Sequence, residues 1–482
     1  MNKQSIIASA ALVLISCQTA IGQVKTKLAH RQKYYVLDSR VIASTENAKL
    51  EVGKVTKHKA NPLFVEDKAW EMRYDNLYGN IIYDQREKIY KCWYSPFIID
   101  AEWDRKMTVE QRNKKRYRSG RREMGICYAT SKDGIKWEKP ELGLMNYDPK
   151  NRHKRDSGDK RNNIVLRGPH GAGVFRDDRD PDAKRRYKTI YQGLYTSVSP
   201  DGLHWSKPAK CKGVRVAGDT HNNAFWAPTL KKYVGITRSW GRPHGRQVAR
   251  IESDDFVNWT KEVVVLEGTN KQQTYAMPVF FRHNVYFGLI AIFDIPSNRV
   301  WTELAWSADT KKWNRVSPGT PLIPCSEKKL DYDYGCVYPC AYPVFLKDEI
   351  RLYYGGSDYL HNGWRTGSLC LATLRPDGFA GYEPVDKNKP ATVTTQLVPW
   401  NDKCLMISAD AKGGSVVIEV LDDKGKLIAT AKTINGAVSG KIAEFPKDVT
   451  IKQDQPVRLR FKLTGAKLYS FGFPLNNAAV RF

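Results

Sequence analysis

The chain has 482 residues, enough for one large core and a smaller domain, and its 25 Tyr, 13 Trp and 16 Phe favour sheets over helices. Its 78 Lys and Arg against 51 Asp and Glu leave a net charge of +27. No nucleic-acid motif, no glycine-rich phosphate loop before a helix and no CxxC with histidine partners accompanies that charge, so neither nucleic acid nor a cofactor nor a metal is expected.

In chain order, Lys3, the apolar run IIASAALVLIS and the small-residue stretch AIGQ read as a signal peptide over residues 1–22. Leu14-Ile15-Ser16-Cys17 also fits a bacterial lipobox, with Cys17 as the lipidated residue, so a lipid anchor is the alternative outcome. Either reading exports the protein to the periplasm, the medium or the envelope surface, and the run is too short to remain as a membrane span. Residues 24–60 form a lead-in with strands near YYVLDSRVIAS and AKLEVGKVTKH, able to close a ring by pairing with the last repeat.

A seven-residue phrase then recurs: SKDGIKW from Ser131, SPDGLHW from Ser199, SDDFVNW from Ser253 and SADTKKW from Ser307, with a degenerate RPDGFAGY from Arg375. Its copies lie 54 to 69 residues apart, a spacing that suits one four-stranded propeller blade. Ser and Asp bond back to the backbone, Gly supplies positive φ and the aromatic fills the gap between blades. The expected fold is therefore all-β, a five-bladed β-propeller over residues 61–386, with breaks near 145, 213, 266 and 320. A C-terminal β-sandwich over 391–482 follows, with a hairpin turn at Asp423-Lys424-Gly425.

Eight cysteines lie beyond the signal, with Cys92 and Cys127 in adjacent predicted strands. Export permits disulfides, but Cys within apolar strands reads first as a small buried hydrophobe.

In a propeller, the loops entering the innermost strands and those joining the second strand to the third share one face, opposite the repeated hairpins. That face receives Trp70, Glu71, Arg73 and Asp75 ahead of the first blade, His170 ahead of the second and Asp219 and His221 ahead of the third. Tyr275, Asp333 and Tyr338 follow from the later entries, with Arg242, Asp358 and Arg365 from the second-to-third loops. Asp75, Asp219 and Asp333 are the candidate catalytic carboxylates, because glycosidic cleavage needs one group to protonate the leaving oxygen and another as base or nucleophile. Aromatic rings would stack on sugar faces and guanidiniums would hold substituents. Two basic segments, residues 104–124 and 151–161, are expected over this face, where they would concentrate anionic ligands.

The repeats, NPLFVEDKAWEMRYDNLYGNIIYD, YATSKDGIKWEKPELGL and YYGGSDYLHNGWRTGSLCLATLRPDGF together resemble the five-bladed glycosidases of glycoside hydrolase families 32 and 43 and their bacterial relatives, over roughly residues 35–385. The resemblance implies an Asp nucleophile or base in the first blade, matched by Asp75, and a second-blade Asp, for which Phe175-Arg176-Asp177 offers a partial match. It also implies a third-blade Glu as acid. No Glu stands there; Asp219 is the preferred substitute and Glu303 a spare carboxyl. The expected function is an exported glycoside hydrolase acting on a poly- or oligosaccharide, with sulfated or uronic glycans among the substrates considered. A non-catalytic glycan-binding propeller and a phosphorylase-like transferase are the alternatives.

Overall fold

The computed structural model describes residues 28–474 except 30, 119, 402 and 403; the expected signal segment, with Cys17, lies outside them. The described chain is almost entirely strand, with one six-residue α-helix, Val109–Lys114, and two single 3₁₀ turns. None of its helices is long and apolar enough to cross a membrane.

The repeated phrase folds as its chemistry dictates. In the first copy Ser131 Oγ accepts from Gly134 N at 2.8 Å, while Asp133 Oδ1 accepts from Ile135 N and Lys136 N, both at 2.8 Å. The same serine bond recurs at Gly202, Phe256 and Thr310, at 2.8 to 2.9 Å. All four acceptor turns need positive φ, at 74°, 80°, 64° and 64°, so Phe256 and Thr310 take a glycine conformation without being glycine.

Around these hairpins the strands assemble into antiparallel groups. The first runs Asn80–Asp84, Ile89–Tyr94, Arg122–Ser131 and Ile164–Arg167; the second Gly173–Arg176, Tyr187–Tyr191, Tyr195–Ser199 and Ala209–Lys210. Because Ile164–Arg167 pairs with Arg122–Ser131, the first group extends past the break expected near 145. The third comprises Asn223–Ala227, Lys232–Gly241, Gly245–Ser253 and Val263–Glu267. Two further groups, centred on Val285–Asp294 with Arg299–Ser307 and on Ile350–Ser357 with Gly367–Leu374, share one sheet through a parallel bridge between Val300 and Cys336. The outer edge of the last group comes from the start of the chain, as Thr56–Lys57 and Phe64–Val65 pair with Gly367–Leu374.

Hydrogen bonds between inner edges hold neighbouring groups together. Asn80 Oδ1 accepts from Val174 N at 3.0 Å, Asn223 Oδ1 from Val279 N at 3.0 Å, and Gly79 O from Ala341 N at 2.9 Å. Such fully buried amides rigidify a core only when every bond is made.

The remaining sheet mixes both ends of the chain. Ile42–Glu46 pairs with Ala391–Thr395, and Ala48–Val52 with Ala380–Pro384, so part of the lead-in builds the C-terminal sheet. The expected turn is present, with Gly425 at φ 89° between Met406–Leu421 and Leu427–Thr430. The eight cysteines are free thiols. Cys92 lies opposite Ala129 and Cys127 opposite Tyr94, an offset that keeps the two sulfurs from bridging.

Gly202 shows how tightly one group fits the next. Its φ is 80°, a Cβ there would lie 2.5 Å from the Trp93 ring, and Trp93 Nε1 donates to Gly202 O at 2.7 Å. Gly202→Ala is expected to destabilise the protein by about 1–3 kcal/mol. Denaturant unfolding checks this, and an unchanged midpoint would contradict the packing described.

Candidate functional site

Asp75 follows the buried Arg73 in the loop entering Asn80–Asp84. Arg73 Nη1 donates to Asp75 Oδ1 at 2.7 Å and Arg365 Nη2 to the same oxygen at 2.8 Å, which leaves Oδ2 engaged by neither arginine. Burial alone would raise the Asp75 carboxyl, but Arg365 and Arg73 outweigh it and hold the group well below the usual carboxylate range. Arg365 Nη2 also reaches Asn76 Oδ1 at 3.0 Å, and Asn76 Nδ2 donates to Tyr78 Oη at 2.7 Å and Tyr275 Oη at 3.3 Å.

Asp219 stands on the same side. Its side chain is 51% exposed and meets His170 Nε2 at 3.2 Å and Arg238 Nη2. The His170 hydrogen bond, working against burial and with Arg238, keeps Asp219 ionised far into acid. Tyr78 feels the charge of both Asp75 and Asp219, and its ring lies 5.4 Å from His170, 5.2 Å from His221 and 6.3 Å from Tyr338. Tyr338 Oη meets His361 Nδ1 at 2.7 Å, and Tyr275 carries both Arg238 and Arg246 over its ring at 5.1 and 5.0 Å. The result is a mouth floored by tyrosines and ringed by guanidiniums, imidazoles and two carboxylates.

The basic segment 104–124 closes one side of this mouth. Trp103 stacks on Trp364 at 5.9 Å, Tyr117 meets it edge-on at 4.9 Å, and Arg112 pairs with Asp358 at 2.9 Å. Trp364 immediately precedes Arg365, so the segment is latched onto the loop that grips Asp75. The second basic segment lies at the edge of the first group, where Arg155 pairs with Glu123 at 3.0 Å.

Several expected residues serve the framework instead. Asp333 is buried against Lys57 at 2.6 Å and Tyr354 Oη at 2.8 Å and shares no partner with Asp75 or Asp219, because its loop turns it toward the outer strand from the N-terminus. Glu71 accepts from Tyr94 Oη at 2.6 Å and pairs with Lys139 at 2.8 Å, which leaves it no reach toward a ligand. Trp70 donates to Asn163 at 2.6 Å and packs edge-on against Tyr147 at 6.1 Å, so its ring is not free to stack on a sugar. Arg242 is exposed at the tip of the Lys232–Gly241 hairpin, whereas Arg238 and Arg246, on the strands beneath it, face the mouth. Asp358 serves the latch, and His221 is buried with Nε2 3.2 Å from Asn80 Oδ1. Glu303 is spent on Arg315 at 2.5 Å and Trp301 at 3.0 Å, and Asp177 on Lys188 at 3.0 Å.

Arg238 and Tyr78 were not singled out by the sequence, whereas Asn76 belongs to the entry segment read beside Asp75. The signal for Arg238 is the length of its strand: ten residues in KYVGITRSWG carry it beyond the five-residue inner strand Asn223–Ala227.

The opposite end of the inner strands holds a larger cavity of 720 Å³, lined by Tyr83, Phe175, Trp226, Phe281 and Phe345 among others. Its arginines are already engaged, Arg179 at 3.4 Å over Trp226, Arg282 at 3.8 Å over Phe345 and Arg176 paired with Asp84 at 3.0 Å. Volume alone does not mark a functional site, and the mouth of Asp75 is where carboxylates, imidazoles and guanidiniums converge.

No family model and no curated protein matches the chain. Solved structures similar to it include a glycosyl hydrolase from Bacteroides ovatus, 14% identical over 69% of this chain and 97% of that one, at a TM-score of 0.46. An N-acetylgalactosamine deacetylase from F. plautii in complex with blood group B trisaccharide is 11% identical over 67% and 95%, at 0.43. The catalytic domain of the Coprinopsis cinerea GH62 α-L-arabinofuranosidase is 13% identical over 66% and 97%, also at 0.43. Likenesses this distant assign neither family nor activity.

Burial pushes the His221 imidazole down to about 3. An unfolded His titrates near 6.5, so between about 3 and 6.5 the unfolded chain binds the extra proton and stability falls as pH falls. The slope from this group approaches ~1.4 kcal/mol per pH unit, and His221→Gln is expected to remove it. Unfolding free energies measured from pH 7 to 4 check this; an unchanged slope in the variant would contradict it.

Proposed function

We propose that the chain is a five-bladed β-propeller with a C-terminal β-sandwich, exported from the cell, and that its mouth cleaves glycosidic bonds in a poly- or oligosaccharide that carries anionic groups. The observation that carries the reading is the ionised Asp75, locked through one oxygen by Arg73 and Arg365 above a tyrosine floor. A carboxylate stabilised this far is a poor proton acceptor, so Asp75 acts as nucleophile or as the charge that stabilises an oxocarbenium-like transition state. Asp219, equally held in its ionised form, does not suit the acid role expected of it. That role falls to His170 as the imidazolium, whose Nε2 proton leaves its 3.2 Å contact with Asp219 Oδ1 for the leaving oxygen. Water completes the cleavage, giving its hydroxyl to the anomeric carbon and its remaining proton to the imidazole.

The latch formed by residues 104–124 supports the anionic part of the reading. Lys114 is 75% exposed and Arg118 69% exposed beside the mouth, positions that steer a ligand without touching the reacting bond.

A glycan-binding propeller without catalysis is the second reading, favoured by the missing third-blade Glu. One experiment separates the two. The mature chain is incubated with neutral, uronic and sulfated polysaccharides, with and without inorganic phosphate, and released sugars are read. Asp75→Asn is expected to lower kcat by about 10²–10⁴-fold with little change in KM. Cleavage of the anionic glycan should also slow as salt shortens the Debye length from about 10 Å at 0.1 M to about 3 Å at 1 M. Binding without release would favour the second reading, and release that requires phosphate a transferase.

A further inference from the structure

Arg238 and Arg246 project from neighbouring strands toward the ring of Tyr275, and they are unequally satisfied. Arg238 has a side chain only 9% exposed, and Nη2 meets Asp219 Oδ2 while Nη1 is buried without a hydrogen-bond partner. Arg246 Nη1 donates to the neutral Gln273 Oε1 at 2.8 Å, and its Nε is likewise buried and unpartnered. Gly245, at φ 67°, makes room for this arrangement, since a Cβ there would lie 2.3 Å from Gln273 Nε2. Of these two desolvated guanidiniums only Arg238 meets a carboxylate, the half-exposed Asp219. A buried cation left with donors to spare is costly unless an anion completes it.

The space beside them fits such an anion. A pocket of 460 Å³ is lined by Val216, Gly218, Asp219, Arg238, Trp240 and Arg246. Trp240 stands at its rim, 64% exposed, with Arg246 5.0 Å from its ring. An exposed indole over a cationic pocket offers an apolar plate for a pyranose ring and a fork for a substituent on it.

We propose that this pocket is an oxyanion subsite in which Arg246 and Arg238 hold a carboxylate or sulfate group borne by a sugar stacked on Trp240. The assignment rests on the glycan reading of the mouth and adds the group recognised and the residues that recognise it. Burial and the neighbouring Arg238 charge both make the Arg246 guanidinium easier to deprotonate, which an incoming anion would reverse.

The test is calorimetric titration with methyl glucuronide, methyl glucoside 6-sulfate, methyl glucoside, inorganic sulfate and inorganic phosphate. At least one anionic glycoside is expected to bind about 10–100-fold more tightly than methyl glucoside, and Arg246→Met to remove that preference. Arg246→Lys keeps the charge but not the fork and should lose less. Asp219→Asn, which removes a competing negative charge, should tighten the anionic glycoside, and Trp240→Ala should weaken charged and neutral sugars alike. Unfolding midpoints of the variants verify that each is folded. Equal affinity for all three glycosides, an unaltered preference in Arg246→Met, or binding of the inorganic ions while neither anionic glycoside binds would each overturn the proposal. Calorimetry reads binding without cleavage, so a chain that hydrolyses nothing but keeps the Arg246-dependent preference sinks only the catalytic reading.

Discussion

The mouth of this protein depends on a single shared oxygen. Asp75 Oδ1 accepts from Arg73, two residues away, and from Arg365, 290 residues away, so one carboxylate ties the entry to the first strand group to the entry of Gly367–Leu374. Arg73 is fully buried and also pairs with Asp100 at 3.1 Å, while Arg122 reaches the same Asp100 at 3.3 Å. Breaking such a buried pair leaves an uncompensated charge and costs about 3–5 kcal/mol, far more than an exposed pair would contribute. The bridge therefore sets where the loop with Trp364 lies, and Trp364 in turn holds the basic segment in place.

The repeated hairpins make that geometry possible by fixing each group against the one before it. Tyr353 Oη donates to Gly134 O at 2.9 Å, Trp93 to Gly202 O at 2.7 Å, Arg185 to Asp255 O at 2.9 Å and Arg250 to Thr310 Oγ1 at 2.6 Å. In three cases the donor comes from the preceding group, and for Gly134 it comes from the last group. The degenerate fifth copy has another task. Asp377 accepts from Lys33 at 2.7 Å, Ser408 at 2.8 Å and Ser470 at 2.9 Å, which fastens the strands of the last group to the C-terminal sheet.

Fold and site differ in how much the sequence disclosed. The hairpins were legible because their chemistry is local: Ser, Asp and a positive-φ position act within a few residues of one another. The loops facing the mouth were legible as well, since chain direction alone sorts Asp75, His170 and Asp219 onto one side. Side-chain direction within those loops was not. Trp70, Glu71 and Asp333 sit in the expected segments, yet each is drawn inward by a partner more than twenty residues away in sequence, and no local pattern announces Asn163, Tyr94 or Lys57 as that partner. Of the loop residues read from the sequence, Arg246 faces the mouth and Arg242 does not, while Arg238, further down the preceding strand, went unread because strand length rather than turn chemistry decides which residues overhang the floor.

The central claim is that ligand enters at the mouth of Asp75 and not at the larger cavity on the far end of the inner strands. Side-chain oxidation footprinting with saturating uronate or sulfated oligosaccharide tests it most directly, because each end carries its own solvent-reachable tryptophan. The account predicts that Trp240 is protected while Trp226 and Phe281 keep their reactivity. Protection of Trp226 and Phe281 with Trp240 unchanged would contradict it.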